Sequence, residues 1–177
     1  MNIILGISGG IAAYKTPDLV RKLLKAGHQV QVVMTHSAHQ FVAPLALQAV
    51  SGHEVRSALF DAQAESAMDH IELARWADTI LIAPATAHII AQLACGLASN
   101  LLSTLCLAST APLVLAPAMN QQMWLHAATQ ENIQRLRARG VQLIGPAEGE
   151  QACGETGYGR MVEPENIVKE LRTPPHA

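Results

Sequence analysis

The 177 residues are 50% hydrophobic and only 15% charged, with a formal net charge of −2. One full-sized core is affordable at this length, but a monomer would have too few charges to cover its surface, which points to a subunit interface and a homo-oligomer. No apolar run reaches the roughly 18 residues of a membrane span, and the scattered basic residues argue against nucleic acid as partner.

Met1-Asn2-Ile3-Ile4-Leu5 has no basic n-region and no cleavage site, so it does not read as a signal peptide. Residues 3–7 form an Ile/Leu run of the kind a parallel strand buried on both faces shows. Behind it comes Gly6-Ile7-Ser8-Gly9-Gly10-Ile11-Ala12-Ala13-Tyr14-Lys15, opening a helix predicted over 12–26 with Gly27 at its C-terminal end. Glycines before a helix N-terminus let backbone N–H groups approach an anion, and Ser8 adds a hydroxyl. The turn therefore reads as a phosphate site, with a plain tight turn as the alternative.

A second run, 30–34, ends at Thr35-His36-Ser37. A dinucleotide fold wants a carboxylate there for the ribose. Hydroxyls and imidazole argue against NAD and for a ligand with one phosphate, such as FMN. His36 and His39 lack a third ligand at metal spacing, so no metal site is expected. Helix 38–50 follows. His70, in Met68-Asp69-His70-Ile71-Glu72-Leu73, reads by itself as surface or satisfied core.

The third run, 79–83, stops at Pro84, and Thr86 can cap a helix over 87–94 that begins Ala87-His88. A further helix spans 99–108 and includes Ser103. The fourth run, 113–116, leads into Pro117-Ala118-Met119-Asn120-Gln121-Gln122-Met123-Trp124. Asn120 is either the N-cap of helix 121–139 or a side-chain amide for a substrate carboxylate; Met119 and Met123 read as core or interface filler. Gly140 closes that helix, and a last run covers 141–144.

Alternation of strands and helices predicts a doubly wound, flavodoxin/Rossmann-like α/β fold, its parallel sheet covered by helices on both faces. Residues 145–159 then turn glycine-rich. Gln151-Ala152-Cys153-Gly154-Glu155-Thr156-Gly157-Tyr158-Gly159-Arg160-Met161 holds a cysteine, a glutamate and an arginine among three glycines, which suits a flap, about 147–162, that closes on a ligand with a reactive thiol. A final helix is expected near 164–171. Residues 1–172 thus read as one domain and 173–177 as a tail. Cys95, Cys106 and Cys153 form no CxxC pair and read as free thiols of a reducing cytoplasm.

Taken together, the SGGIAAYK turn from Ser8, the HIELARWAD segment from His70, PAMNQQMW from Pro117 and ACGETGYGRM from Ala152 resemble the homo-oligomeric flavin-containing cysteine decarboxylases. The likeness covers residues 2–170. It is strongest to the branch that decarboxylates 4′-phosphopantothenoylcysteine during coenzyme A synthesis, in bacteria commonly fused to phosphopantothenate–cysteine ligase.

The resemblance implies FMN held by Ser8, Gly9, Gly10, Ile11, Thr35 and Ser37, by Pro84, Thr86, Ala87 and His88, and by Ser103 and Ala118. It makes His70 the base and Cys153 the proton donor. Asn120 would bind the substrate carboxylate, with Met119, Ala152, Gly154 and Arg160 around the substrate. It implies an assembly built from trimers, as large as a dodecamer, with FMN at a subunit interface. His88 departs from the asparagine that many relatives carry. The alternatives are a peptidyl-cysteine decarboxylase, which should lack the Cys153 donor, a prenyl-FMN synthase, which should lack the whole reactive set, and a non-catalytic flavoprotein serving as a regulatory subunit.

Overall fold

In the computed structural model, which describes residues 1–59, 69–150, 154 and 156–171, the apolar runs become β1 (Asn2–Ile7), β2 (Gln29–Met34), β3 (Thr79–Ala85), β4 (Leu113–Pro117) and β5 (Gln142–Leu143). They form one sheet in the order β2-β1-β3-β4-β5, and every pair is parallel. Alternate residues of β1 feed opposite faces. Ile3, Leu5 and Ile7 join one core cluster and Ile4 the other.

The first cluster packs under α1 (Thr16–Lys25), α2 (Pro44–Ser51) and α8 (Pro164–Glu170), through residues such as Leu19, Leu23, Leu47 and Ile167. The second packs under α3 (Asp69–Trp76), α4 (Ala87–Cys95), α5 (Leu101–Ala108) and α7 (Ala127–Ala138), through Ala74, Ile89, Leu105 and Leu136. Both faces of the sheet are therefore covered, as a parallel sheet requires. No helix among the described residues is long and apolar enough to cross a membrane.

The predicted helix 12–26 begins instead as a 3-10 turn, Ile11–Lys15. Pro17 has no N–H for the Ala13 carbonyl, and the Thr16 hydroxyl donates to that oxygen at 2.7 Å. Helix 38–50 likewise divides into a 3-10 turn, His36–Gln40, and α2. Pro44 keeps Ala43 extended (φ −73°, ψ 131°) and opens the helix. Helix 121–139 breaks at His126 into α6 (Gln121–Leu125) and α7; His126 is extended, and its Nδ1 accepts from the Ala128 N–H at 3.2 Å. The glycine-rich stretch after β5 contains an antiparallel hairpin, β6 (Ala147–Glu150) with β7 (Thr156–Arg160). Residues 173–177, read as the tail, lie outside the described residues, as does residue 172.

Candidate functional site

The strand order reverses between β1 and β3, so their carboxyl ends diverge and leave a crevice. A cavity of about 1170 Å³ opens there. Ser8 and Thr86 form its floor. Ser8 is 2% exposed and carries its hydroxyl between the two strand ends. It donates to the Pro84 carbonyl at 2.7 Å, accepts from the Thr86 N–H at 3.1 Å and lies 3.2 Å from Thr86 Oγ1. Its hydrogen is thus spent on joining the two strand ends. Thr86 caps α4, its Oγ1 accepting from the Ile89 N–H at 3.5 Å.

Gly9 is a packing requirement as much as a ligand-facing one. A Cβ there would run into the Ser37 side chain and stand 2.9 Å from the Ser37 carbonyl carbon. Gly9 thereby lets the first turn seat against the end of β2, where Thr35 and Ser37 place their hydroxyls 3.2 Å apart. We expect Gly9→Ala to force these turns apart and to cost about 1–3 kcal/mol of stability. Thermal unfolding of the variant beside the parent checks this.

The fourth strand end closes another wall. The Ala118 N–H donates to the Ala85 carbonyl and the Met119 N–H to the Gly159 carbonyl, at 3.0 and 2.9 Å. That second bond ties the hairpin to the segment before α6. Asn120 caps α6 through Oδ1, which accepts from the Gln122 N–H at 2.8 Å.

Of the residues singled out from sequence, the cavity gathers the Ser8–Ile11 turn, Thr35, Ser37, the Thr86–His88 corner, Ala118, Met119, Asn120 and Arg160. Pro84 is buried in β3. Ser103 is fully buried in the capping box of α5, bonded both ways with Asn100. His70, half-buried on α3, is not among the described residues that line the cavity, and neither is Gly154. Ala152 and Cys153 lie outside the described residues. Cys95 and Cys106 are free thiols, and burial pushes the Cys106 thiol up to about 12, so it stays protonated.

Sequence reasoning gave no role to Lys15 or Glu163. The Lys15 Nζ donates to Glu163 Oε1 at 2.7 Å, and Arg160 Nη2 donates to the same oxygen at 2.8 Å. Lys15 above all, with Arg160 adding to it, holds the Glu163 carboxyl below the usual carboxylate range. Its contribution to stability is therefore present above the unfolded-state value and is lost only as pH falls through the depressed one. The SGGIAAYK motif contained Lys15, but its partner lies 148 residues away.

A model of the family described as Flavoprotein matches residues 1–174. The coenzyme A biosynthesis bifunctional protein CoaBC of Haemophilus influenzae is 58% identical over 170 residues, 96% of this chain and 42% of that protein. The chain thus spans 42% of the length of this curated relative. Among solved structures, a PPC decarboxylase mutant complexed with pantothenoylaminoethenethiol superposes with a TM-score of 0.85 at 32% identity, over 95% of this chain and 94% of that one. The FMN-dependent cysteine decarboxylase SpaF superposes at 0.79 and 30% identity, over 90% and 89%. Sequence, fold and cavity placement agree, and the chain belongs to the Flavoprotein family.

Proposed function

We propose that this chain is an FMN-dependent decarboxylase that converts N-(4′-phosphopantothenoyl)-L-cysteine to 4′-phosphopantetheine, working with or fused to phosphopantothenate–cysteine ligase. The observation that carries the reading is the 0.85 superposition on a PPC decarboxylase mutant holding an ethenethiol, with the cavity at the switch point of the same sheet.

The residues fit FMN. One glycine turn and the Thr35 and Ser37 hydroxyls suit one phosphate, and no carboxylate stands at the end of β2 for a second nucleotide's ribose. Ile11, Ile89, Met119 and Met123 offer aliphatic walls for a flat ring. FMN, when bound, supplies a reversible two-electron sink beside the cysteinyl CH₂–SH, so no external reductant is needed. Asn120, its amide fixed by the cap bond to Gln122, orients the substrate carboxylate. His70 takes the proton that must leave as the substrate sulfur–carbon bond reaches the thioaldehyde level. The thiocarbonyl, β to the carboxylate, then accepts the electron pair as CO₂ departs, giving an ene-thiol. Cys153 returns a proton to carbon.

A trimer-based homo-oligomer belongs to the same reading. It is supported by the low charge content, by the exposure of Ile11 (60%), Tyr14 (62%) and Leu45 (74%), and by the placement of His70 off its own chain's cavity, which leaves it to serve a neighbour's. Light scattering of the flavin-loaded protein should give a multiple of three chains; a stable, active monomer overturns this. The free thiols Cys95 and Cys106 support a cytoplasmic site of action.

The direct test is incubation with 4′-phosphopantothenoylcysteine, following CO₂ and product mass. We expect 4′-phosphopantetheine from a yellow protein that releases FMN on denaturation. Release of FAD, or turnover of a peptide C-terminal cysteine alone, would sink the assignment.

A further inference from the structure

We propose that Lys15 and Arg160, gathered on Glu163, form a phosphomonoester subsite on the hairpin side of the cavity; the inference rests on the decarboxylase reading only for the identity of the substrate. Lys15 and Arg160 are both lining residues of the cavity; both donate to one oxygen of the Glu163 carboxylate, at 2.7 and 2.8 Å, and the Lys15 Nζ also donates to the Met161 carbonyl at 3.5 Å. A single negative charge cannot neutralise two positive ones, so the cluster keeps one positive charge in excess. The Lys15 side chain is only 9% exposed while Glu163 is 47% exposed. A buried ammonium is costly unless paired, and here its pairing is shared with a guanidinium. An anion arriving from the cavity completes the arrangement.

The carboxylate that lines the cavity among its described residues is Glu150. In the hairpin register Arg160 faces Ala147, whereas Glu150 faces Thr156. Four residues of strand separate the two positions along β7, roughly 13 Å at about 3.3 Å per residue. Among the described residues Lys15 and Arg160 form their ion pairs with Glu163 and none with Glu150.

Arg160 is also held by packing. A Cβ at Gly149 would stand 3.0 Å from Arg160 Nη1 and 3.1 Å from its Cδ, so the arginine lies directly across the glycine backbone of β6. Lys15 is fixed from the other side, in the 3-10 turn that continues the Gly9-Gly10 corner, where the Ala13 N–H donates to the Gly10 carbonyl at 2.9 Å. A guanidinium fork beside a compact ammonium matches a dianionic phosphate better than a carboxylate, since three oxygens then meet donors from two directions. The glycine turn with Thr35 and Ser37 already suits the single phosphate of FMN, so the phosphomonoester that fits here is the 4′-phosphate of the substrate; the 5′-phosphate of FMN is the other outcome of the test.

The test compares phosphorylated and unphosphorylated members of both pairs on the full chain and on Lys15→Met and Arg160→Met. In one arm flavin-stripped protein is titrated with FMN and with riboflavin, following flavin fluorescence. In the other, flavin-loaded protein is titrated with 4′-phosphopantothenoylcysteine and with pantothenoylcysteine, following the change in flavin absorbance on binding and, separately, KM and kcat. We expect the parent to prefer 4′-phosphopantothenoylcysteine to pantothenoylcysteine by at least about tenfold. Each variant should erase that preference while leaving affinity for the unphosphorylated member within about twofold; the pair affected names the source of the phosphate. The binding arms need no turnover, so loss of the decarboxylase reading shows as absence of CO₂ from the parent and leaves the subsite testable. Should Lys15→Met not fold, Arg160→Met, whose side chain is 43% exposed, decides alone. A preference intact in the variants, or absent from the parent in both pairs, overturns the proposal.

Discussion

His70→Asn is expected to retain its full complement of FMN while CO₂ release from 4′-phosphopantothenoylcysteine falls by about 10²–10⁴-fold, the range for loss of a general base. Histidine suits proton abstraction near neutral pH, and asparagine keeps a similar shape without a basic nitrogen. Cofactor content should hold, because His70, on α3, is not among the described residues that line its own chain's cavity. The same separation has a second consequence. If His70 serves a neighbouring chain, a site needs His70 from one subunit and Asn120 from another. Co-expressing His70→Asn with Asn120→Ala should then rebuild about a quarter of the parental sites by random assortment in a symmetric assembly, although each variant alone is inactive. Cofactor quantification and CO₂ release decide both points. Full activity of His70→Asn removes it as the base, and a co-expressed mixture that stays inactive places its action within one chain.

The strands were legible because of where they sit. β1, β3 and β4 are covered on both faces, so burial selects apolar residues at nearly every position, whereas β2, at the sheet edge, keeps a half-buried Gln31 within its run. β5 reduces to Gln142–Leu143, with both residues only half-buried at the sheet edge. Strand order was not legible, since pairing joins residues far apart, such as Ile3 with Thr79, and the cavity's position follows from that order. The hairpin stayed hidden for a different reason. The buried positions of β7 are Gly157 and Gly159, which have no side chains to show the period-2 alternation of a half-buried strand. α3 escapes the helical pattern similarly, with Ala74 its one fully buried side chain among those described. In the site, glycines and hydroxyls at strand ends are local features and stood out. The ion-pair hub did not, because a lysine at 15 gains meaning only from a glutamate at 163.

Cys153→Ser is expected to oxidise and decarboxylate the substrate but to stop short of phosphopantetheine, with its formation reduced at least about a hundredfold. Cys153 lies outside the described residues, so the argument is chemical. Once CO₂ has gone, the substrate is an ene-thiol, and its carbon must receive a proton before the two electrons can return. A thiol, with a reference pKa of about 8.5, can give that proton near neutral pH, whereas a serine hydroxyl is a far weaker acid. The strands on either side of this segment bear on its reach: β6 ends at Glu150, which lines the cavity, and the Gly159 carbonyl of β7 is bonded to the Met119 N–H beside Asn120. Mass spectrometry of the variant's product should therefore find a compound two hydrogens lighter than 4′-phosphopantetheine, with CO₂ release preserved. Normal phosphopantetheine at the parental rate would remove Cys153 as the donor. Loss of CO₂ release itself would move the residue to an earlier step, substrate binding, because the carboxylate leaves before any proton is needed at carbon.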